Sequence, residues 1–350
     1  MERADQGLAF MLQYENVAWY DKGVVRILDR RVYPTKVEFV ECRTHGEVRQ
    51  AITDMVTQSA GPYTAAAMGM ALAAYECRDK REGERKAYLK DASHLIAHAR
   101  PTTVERMKLI TQSAYETACK AMDEGKDVSQ AIVEATVENN NKRYRKINIM
   151  GKYLVDMFPK GGKIMTQCFG ETIVGMMLKE AKLRNNDLKM FCAETRPYFQ
   201  GARLTATVCH EMGFDTTVIT DNMPAFTMQQ KKIDVFTSAA DAICLDGHVV
   251  NKIGTFQMAI AAKYFGIPYF ATGAPDIGHP VVDTIKIEER DPEFVLQAMG
   301  VRTAREGVKG FYPSFDITPP ELVSGIVTDL GIFSPYDLNR YYENNAEGEY

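Results

Sequence analysis

The sequence predicts an α/β chain with a mainly helical N-terminal domain carrying a small β element, residues 1–150, and a Rossmann-like parallel-sheet domain, residues 151–350. Three observations support this: alternating apolar residues in the first forty positions, helical periodicity from Thr44 to Lys146, and a change after Lys160 to short strands alternating with helices. Val24 to Asp29 and Lys36 to Val40 alternate as short strands or hairpins do. Val48, Ile52, Met55 and Val56 then recur at helical spacing, and Ala65 to Tyr75 is small and apolar enough for a tightly packed helix. Further helices are expected over Lys80 to Ala99, Thr103 to Met122 and Val128 to Glu138.

In the second half the expected order is strand Lys163–Cys168, helix Glu171–Leu183, strand Leu188–Ala193, helix Gly201–Met212, strand Thr216–Thr220 and helix Met223–Lys232. Strand Ala242–Leu245, helix Thr255–Tyr264 and strand Pro268–Thr272 follow. Strand and helix alternating at these lengths imply right-handed crossovers and a parallel sheet. Tyr341 to Tyr350 is polar and acidic and reads as a loose tail.

Composition excludes several classes of function. Lysine and arginine number 42 against 46 acidic residues, a net charge of −4, so no strong positive field exists to hold a nucleic acid. The most apolar stretch, Ile253 to Phe270, is interrupted by Lys263, and no run is long enough to cross a membrane. The opening residues lack a secretory pattern, and the seven cysteines are odd in number with no CxxC pair, so a reduced, cytoplasmic setting is expected. His94 and His98 stand at i, i+4, without an intervening HExxH glutamate or a third ligand; a solvated helix face is expected there, and no metal. No GxGxxG or Walker motif occurs, so no cofactor is expected.

Open parallel sheets bind ligands at the carboxyl ends of their strands. The residues to examine are therefore Cys168, the Glu194–Pro197 segment, Asp221–Asn222 and Asp241, of which Asp241 precedes, and does not follow, an expected strand. Cys168 before a helix can gain thiolate character from the helix dipole, or can be a small buried apolar residue. Arg196, Gln200 and Gly201 suggest an anion site, against the alternative of a surface pair between Arg196 and Glu194 worth at most ~1 kcal/mol. Asp241 among apolar neighbours should have a raised pKa and act as a proton donor, or else serve as a turn or cap. Asn251 to Thr255 opens a helix whose amides, with Lys252, suit phosphate. Arg100 precedes a helix expected to start at Pro101, and alone reads as an exposed residue.

Read in order, Leu28–Pro34, Ala51–Met55, Ala99–Thr102, Thr166–Cys168, Glu194–Pro197, Gln200–Thr205, Asp221–Met223, Asp241, Asn251–Thr255, Ile287–Arg290 and Phe315–Pro319 resemble the methylthioribose-1-phosphate isomerase family. That family is related to ribose-1,5-bisphosphate isomerase and to the regulatory subunits of eukaryotic initiation factor 2B. The resemblance implies conversion of an aldose 1-phosphate to a ketose 1-phosphate, with Cys168 and Asp241 as an acid/base pair. It also implies that Arg100, Gln200, Asn251, Lys252 and the Gln58-Ser59-Ala60 segment hold the sugar phosphate, in a homodimer with the site in a cleft between the domains. Ribose 1,5-bisphosphate and 5-deoxyribose 1-phosphate are alternative substrates, and a non-catalytic regulatory protein is the alternative class. Where the isomerases carry an Arg-Gly-Ala loop this chain has Gln58-Ser59-Ala60. Losing a charge-assisted hydrogen bond there is worth about 1.5 to 3 kcal/mol, so weaker phosphate binding or a different substrate is expected.

Overall fold

The computed structural model describes residues 3–100 and 104–343. The chain divides into two compact units, one ending at Arg145 and the other beginning at Lys146.

In the first unit a short helix α1 (Tyr14–Val17) leads into an antiparallel meander of β1 (Ala18–Asp21), β2 (Val24–Leu28) and β3 (Phe39–Cys42). Thr44 caps α2 (His45–Thr53) by accepting the Glu47 amide at 3.2 Å. Helix α3 (Gly61–Glu76) is apolar around its whole circumference, and such a helix is stable only when covered on all sides. The meander, α2, α4 (Glu82–Ala97) and α5 (Val104–Asp123) cover it, and its alanines let them approach closely. The expected helix from Val128 to Glu138 continues as α6 (Val128–Asp156), and the division between the units falls within it. Past the expected end at Glu138, Asn140 and Asn141 are buried. The Asn141 amide oxygen accepts from Ala4 N and the Tyr14 hydroxyl, each at 2.9 Å, so tertiary partners keep the helix going.

The second unit contains β4 (Lys163–Thr166), α7 (Thr172–Leu183), β5 (Lys189–Ala193), α8 (Ala206–Glu211), β6 (Asp215–Ile219), α9 (Pro224–Lys231) and β7 (Val235–Ala239). These are followed by β8 (Ala242–Ile243), β9 (Val249–Lys252), α10 (Thr255–Tyr264), β10 (Tyr269–Thr272), β11 (Gln297–Ala298), β12 (Val301–Arg302) and β13 (Phe315–Thr318). Strands β14 (Gly325–Thr328) and β15 (Gly331–Phe333) and helix α11 (Asn339–Glu343) complete it. The main sheet has seven strands in the order β15-β14-β10-β7-β4-β5-β6, parallel except for the edge strand β15. Chain order therefore runs one way from β4 through β5 to β6, then jumps back to β7 and runs the other way. The switch point lies between β4 and β7, where such folds place their ligands. A small antiparallel sheet, β13-β9-β8, lies beside it, and β11-β12 is a separate hairpin.

The structure corrects three expectations. Strand β7 is absent from the sequence reading because Thr237 and Ser238 break its apolar run; both are buried, with Thr237 Oγ1 donating to Phe270 O at 2.9 Å and Ser238 Oγ bonding Tyr269 Oη at 2.7 Å. The strand expected at Ala242–Leu245 is only the two-residue β8, in the small sheet. Tyr341 to Glu343 belong to α11, and buried Tyr341 donates to Asp329 at 3.0 Å; the rest of the expected tail, 344–350, lies outside the described residues.

Candidate active site

Four strands of the second unit deliver a polar side chain two residues past their carboxyl ends: Cys168 after β4, Thr195 after β5, Asp221 after β6 and Asp241 after β7. Cys168 and Asp241 thus follow the two neighbouring strands that flank the switch point. Asp241 precedes a strand, β8, as expected, and also follows β7, the strand that the sequence pattern does not show. Its backbone marks the passage between sheets, because Ala240 N donates to Thr272 O of β10 at 3.1 Å and Asp241 N to Val250 O of β9 at 2.8 Å.

The loops after β4 and β5 are wound against their preference. Cys168, Glu171, Thr195 and Phe199 have φ of 61°, 52°, 63° and 57°. A β-branched residue such as Thr195 pays for this conformation with about 1–3 kcal/mol unless its surroundings impose it. Here they do: Thr195 N and Arg196 N donate to the two Asp221 carboxylate oxygens at 2.8 and 2.6 Å. Thr195 Oγ1 accepts the Cys168 amide at 3.0 Å and lies 3.1 Å from Ala193 O. Thr205 donates to the Cys168 carbonyl from the other side. The expected helix at Gly201 opens as a π-helical turn, Gly201–Thr205, before α8. Gly201 is obligatory, since an added Cβ would lie 1.7 Å from Ala193 O.

Asn251 and Lys252 were expected at the start of a helix and instead end strand β9. Both are buried; Asn251 Nδ2 donates to Thr255 Oγ1 at 3.0 Å, and Lys252 Nζ donates to Ser314 O at 2.8 Å beneath the Phe315 ring, 4.5 Å from its centroid. The Gly254 and Phe256 amides at the head of α10 bind Asp316 Oδ2 at 2.7 and 3.1 Å, which is where that helix terminus spends its donors. Burial pushes Asp316 up to about 6 despite those two bonds.

The charges of this region act on one another. Burial raises the Cys168 thiol to about 11, with Lys252 pulling it down and Asp241 pushing it up. Of the two readings of Cys168, thiolate character from the helix dipole and a small buried residue, the thiolate is not the resting form, because desolvation outweighs the dipole. Burial also raises Asp241, opposed by Lys252 and then Arg290, while Glu288 adds to the rise. Asp241 nevertheless keeps an exposed face: protein surrounds it densely enough for desolvation to lead, and one side stays open. Lys252 is lowered by burial, against the pull of Cys168 and Asp241. The thiol, the carboxyl and the ammonium therefore form one electrostatic cluster.

Arg196 commits only part of its fork to the protein. Its Nη2 is taken up by the carbonyls of Val295 and Gln297 at 3.3 and 2.8 Å, tying the β11 approach to the β5 loop, while its buried Nη1 meets no hydrogen-bond partner. Gln200 is buried, and its Oε1 meets no hydrogen-bond partner. The sequence reading gave no role to Glu288, Arg290, Tyr312 or Ser314. Arg290 meets Glu288 through Nε and Nη2, each at 3.1 Å, and the chain at Tyr312–Ser314 pairs with it through Arg290 N to Tyr312 O at 3.0 Å and Ser314 N to Glu288 O at 2.8 Å. Only the Ile287–Arg290 segment of the resemblance pointed here.

In the first unit, Gln58, Ser59 and Ala60 run directly into the amino end of α3, with Ser59 at φ 59°. The fully buried Arg30 holds that turn by donating Nη1 to Gln58 O at 2.6 Å, while the buried Gln58 Oε1 has no partner. Arg100 follows Ala99, whose carbonyl accepts Thr53 Oγ1 at 2.9 Å. The expected start at Pro101, Thr102 and Thr103 lies outside the described residues. His94 and His98 are exposed, with rings 4.1 Å apart and His98 Nδ1 2.7 Å from His94 O, as on a solvated helix face. No helix among the described residues is long and apolar enough to cross a membrane.

Comparison with known proteins bears on this arrangement. A model of the Initiation factor 2 subunit family matches residues 57–335. The 5-deoxyribose 1-phosphate isomerase of Clostridium botulinum (strain Hall) is 35% identical over 91% of this chain and 95% of its own length. The methylthioribose-1-phosphate isomerase of Geobacillus thermodenitrificans is 34% identical over 91% of this chain and 92% of its own. The crystal structure of 5-methylthioribose 1-phosphate isomerase from Pyrococcus horikoshii superposes with a TM-score of 0.82 at 30% identity, covering 94% of this chain and 96% of that one. The translation initiation factor eIF-2B subunit delta from A. fulgidus superposes at 0.79 with 29% identity, covering 91% and 96%.

Proposed function

The chain belongs to the Initiation factor 2 subunit family, and from that premise we propose that it is an aldose–ketose isomerase acting on a sugar 1-phosphate. The observation that carries the reading is the placement of Cys168 and Asp241 after the adjacent strands of the switch point, with Lys252 in electrostatic reach of both.

An aldose phosphorylated at C1 cannot open its ring unaided, so the ring oxygen needs a proton as the C1–O bond breaks. Asp241, held above its ordinary value, is the group suited to deliver it. Its carboxylate then takes the C2 proton and returns it to C1, while the proton of the C2 hydroxyl replaces the one given to the ring oxygen. The C2 hydrogen ends on C1, the carbonyl forms at C2, and the enzyme finishes as it began. Cys168, a thiol at rest, offers S–H to the oxygen on which charge develops.

Lys252, Asn251 and Gln200 are proposed to hold the phosphate, and the same role is proposed for Arg100 and for Gln58, Ser59 and Ala60. At the last three, α3 contributes the anion preference of a helix amino end. The working form is proposed to be a cytoplasmic homodimer. Purified protein incubated with 5-methylthioribose 1-phosphate, 5-deoxyribose 1-phosphate and ribose 1,5-bisphosphate should form ketose from at least one. Asp241→Asn and Cys168→Ser should each lose about 100-fold or more in kcat while staying folded by circular dichroism. Folded wild-type protein that turns over none of the three would refute the isomerase.

A further inference from the structure

We propose that Tyr312 is a substrate-contact residue whose hydroxyl bonds a hydroxyl or substituent of the bound sugar. The inference rests on the isomerase reading and extends it to a residue outside the expected phosphate and acid/base sets. Tyr312 is 3% exposed, and its hydroxyl meets no hydrogen-bond partner. A buried phenol ordinarily finds a partner, because leaving the group dry is costly. Ser314 Oγ, two positions along the same segment, is also buried and unmet.

The segment's position ties it to the reaction. Ser314 O holds the Lys252 ammonium, the following Phe315 pairs with Lys252 in the sheet, and the Tyr312 hydroxyl lies within electrostatic reach of Cys168. Arg290 lies near enough to pull the phenol's pKa down through a side-chain contact, but its Nε and Nη2 are held by Glu288, and no donor or acceptor meets the hydroxyl at full hydrogen-bond geometry. The ring is fixed by Tyr198, 6.2 Å away between centroids, which itself packs on Phe294 at 5.1 Å. A buried hydroxyl left unmet, close to the thiol and the ammonium, offers a bound sugar one directional contact. The phenol is neutral at working pH, since burial raises it to about 12, so it can donate.

The test is Tyr312→Phe, which deletes one oxygen and keeps the ring. Dissociation constants of 5-methylthioribose 1-phosphate, 5-deoxyribose 1-phosphate and ribose 1,5-bisphosphate are measured by calorimetry alongside kcat and KM. For whichever of them the wild type binds, affinity should weaken about 10-fold and KM rise in parallel, with kcat changed less than about threefold and thermal stability equal or higher. Unchanged affinity and KM would overturn the contact, as would binding of none of the three by the wild type. Binding without turnover would overturn the isomerase alone, and the affinity change would still decide Tyr312.

Discussion

At Thr195 a single residue shows how this site is assembled. Its backbone is left-handed at φ 63°, its amide is anchored to Asp221 and its hydroxyl receives the Cys168 amide, so three strand ends are fixed through one residue. Such strain persists only where neighbours over-determine it, and here it sets where Cys168 points its chain. Charge at the residue scale has an equally direct consequence at Asp316. Its folded pKa of about 6 lies above the ordinary 3.8, so the folded state binds the proton more tightly than the unfolded one. The stability this contributes is full below about pH 4 and is lost as pH rises through about 6, amounting to at most about 3 kcal/mol. Asp316→Asn should remove that part of the pH dependence. Urea melts of both proteins between pH 4 and pH 8 measure it, and curves that stay parallel would show that Asp316 is not its source.

Elements position the site through close approach more than through propensity. The π turn at Gly201 passes so near β5 that a methyl group has no room beside Ala193 O, and this turn carries Gln200 on one side and Thr205, the Cys168 carbonyl's donor, on the other. Gly201→Ala should therefore destabilise the fold by about 3 kcal/mol or more, read as a lower denaturant midpoint. A midpoint within experimental error of wild type would mean that the turn can move away at no cost. The hairpin β11-β12 shows a different dependence: its approach is held by Arg196, a residue whose charge suggested an anion ligand and whose Nη2 serves neighbouring carbonyls. Arginine in a loop advertises five donors, and sequence does not say who receives them.

For the whole molecule, the homodimer proposed above has a surface to draw on. Phe256, Ile260 and Tyr264 form an exposed i, i+4, i+8 stripe on α10, and Phe226 of the adjoining α9 and Met223 just before it are exposed as well. Light scattering should give twice the chain mass of 39.3 kDa, and Ile260→Glu should lower it toward one chain. A single-chain mass for the wild type would refute the dimer.

Much of the architecture was legible beforehand because periodicity is a local signal: β4, α7, β5, β6, α9, α10 and β10 each announce themselves in a dozen residues. The ordered motifs likewise singled out Cys168, Asp241, Asn251 and Lys252. What sequence reading lost were elements whose polar residues are satisfied by distant partners. Thr237 and Ser238 hid β7, Asn141 hid the length of α6, and Asp316 in β13 hid the cap of α10. The sequence by itself determined the class of fold and the likeness to sugar-phosphate isomerases, and it named Cys168 and Asp241 as the candidate thiol and acid. Only the tertiary structure decided that both follow neighbouring strands at one switch point, that the thiol rests protonated, and that Tyr312 is buried with its hydroxyl unmet. The reason is that strand order, desolvation and hydrogen-bond completion are set by residues far apart in the chain, and no local pattern records them.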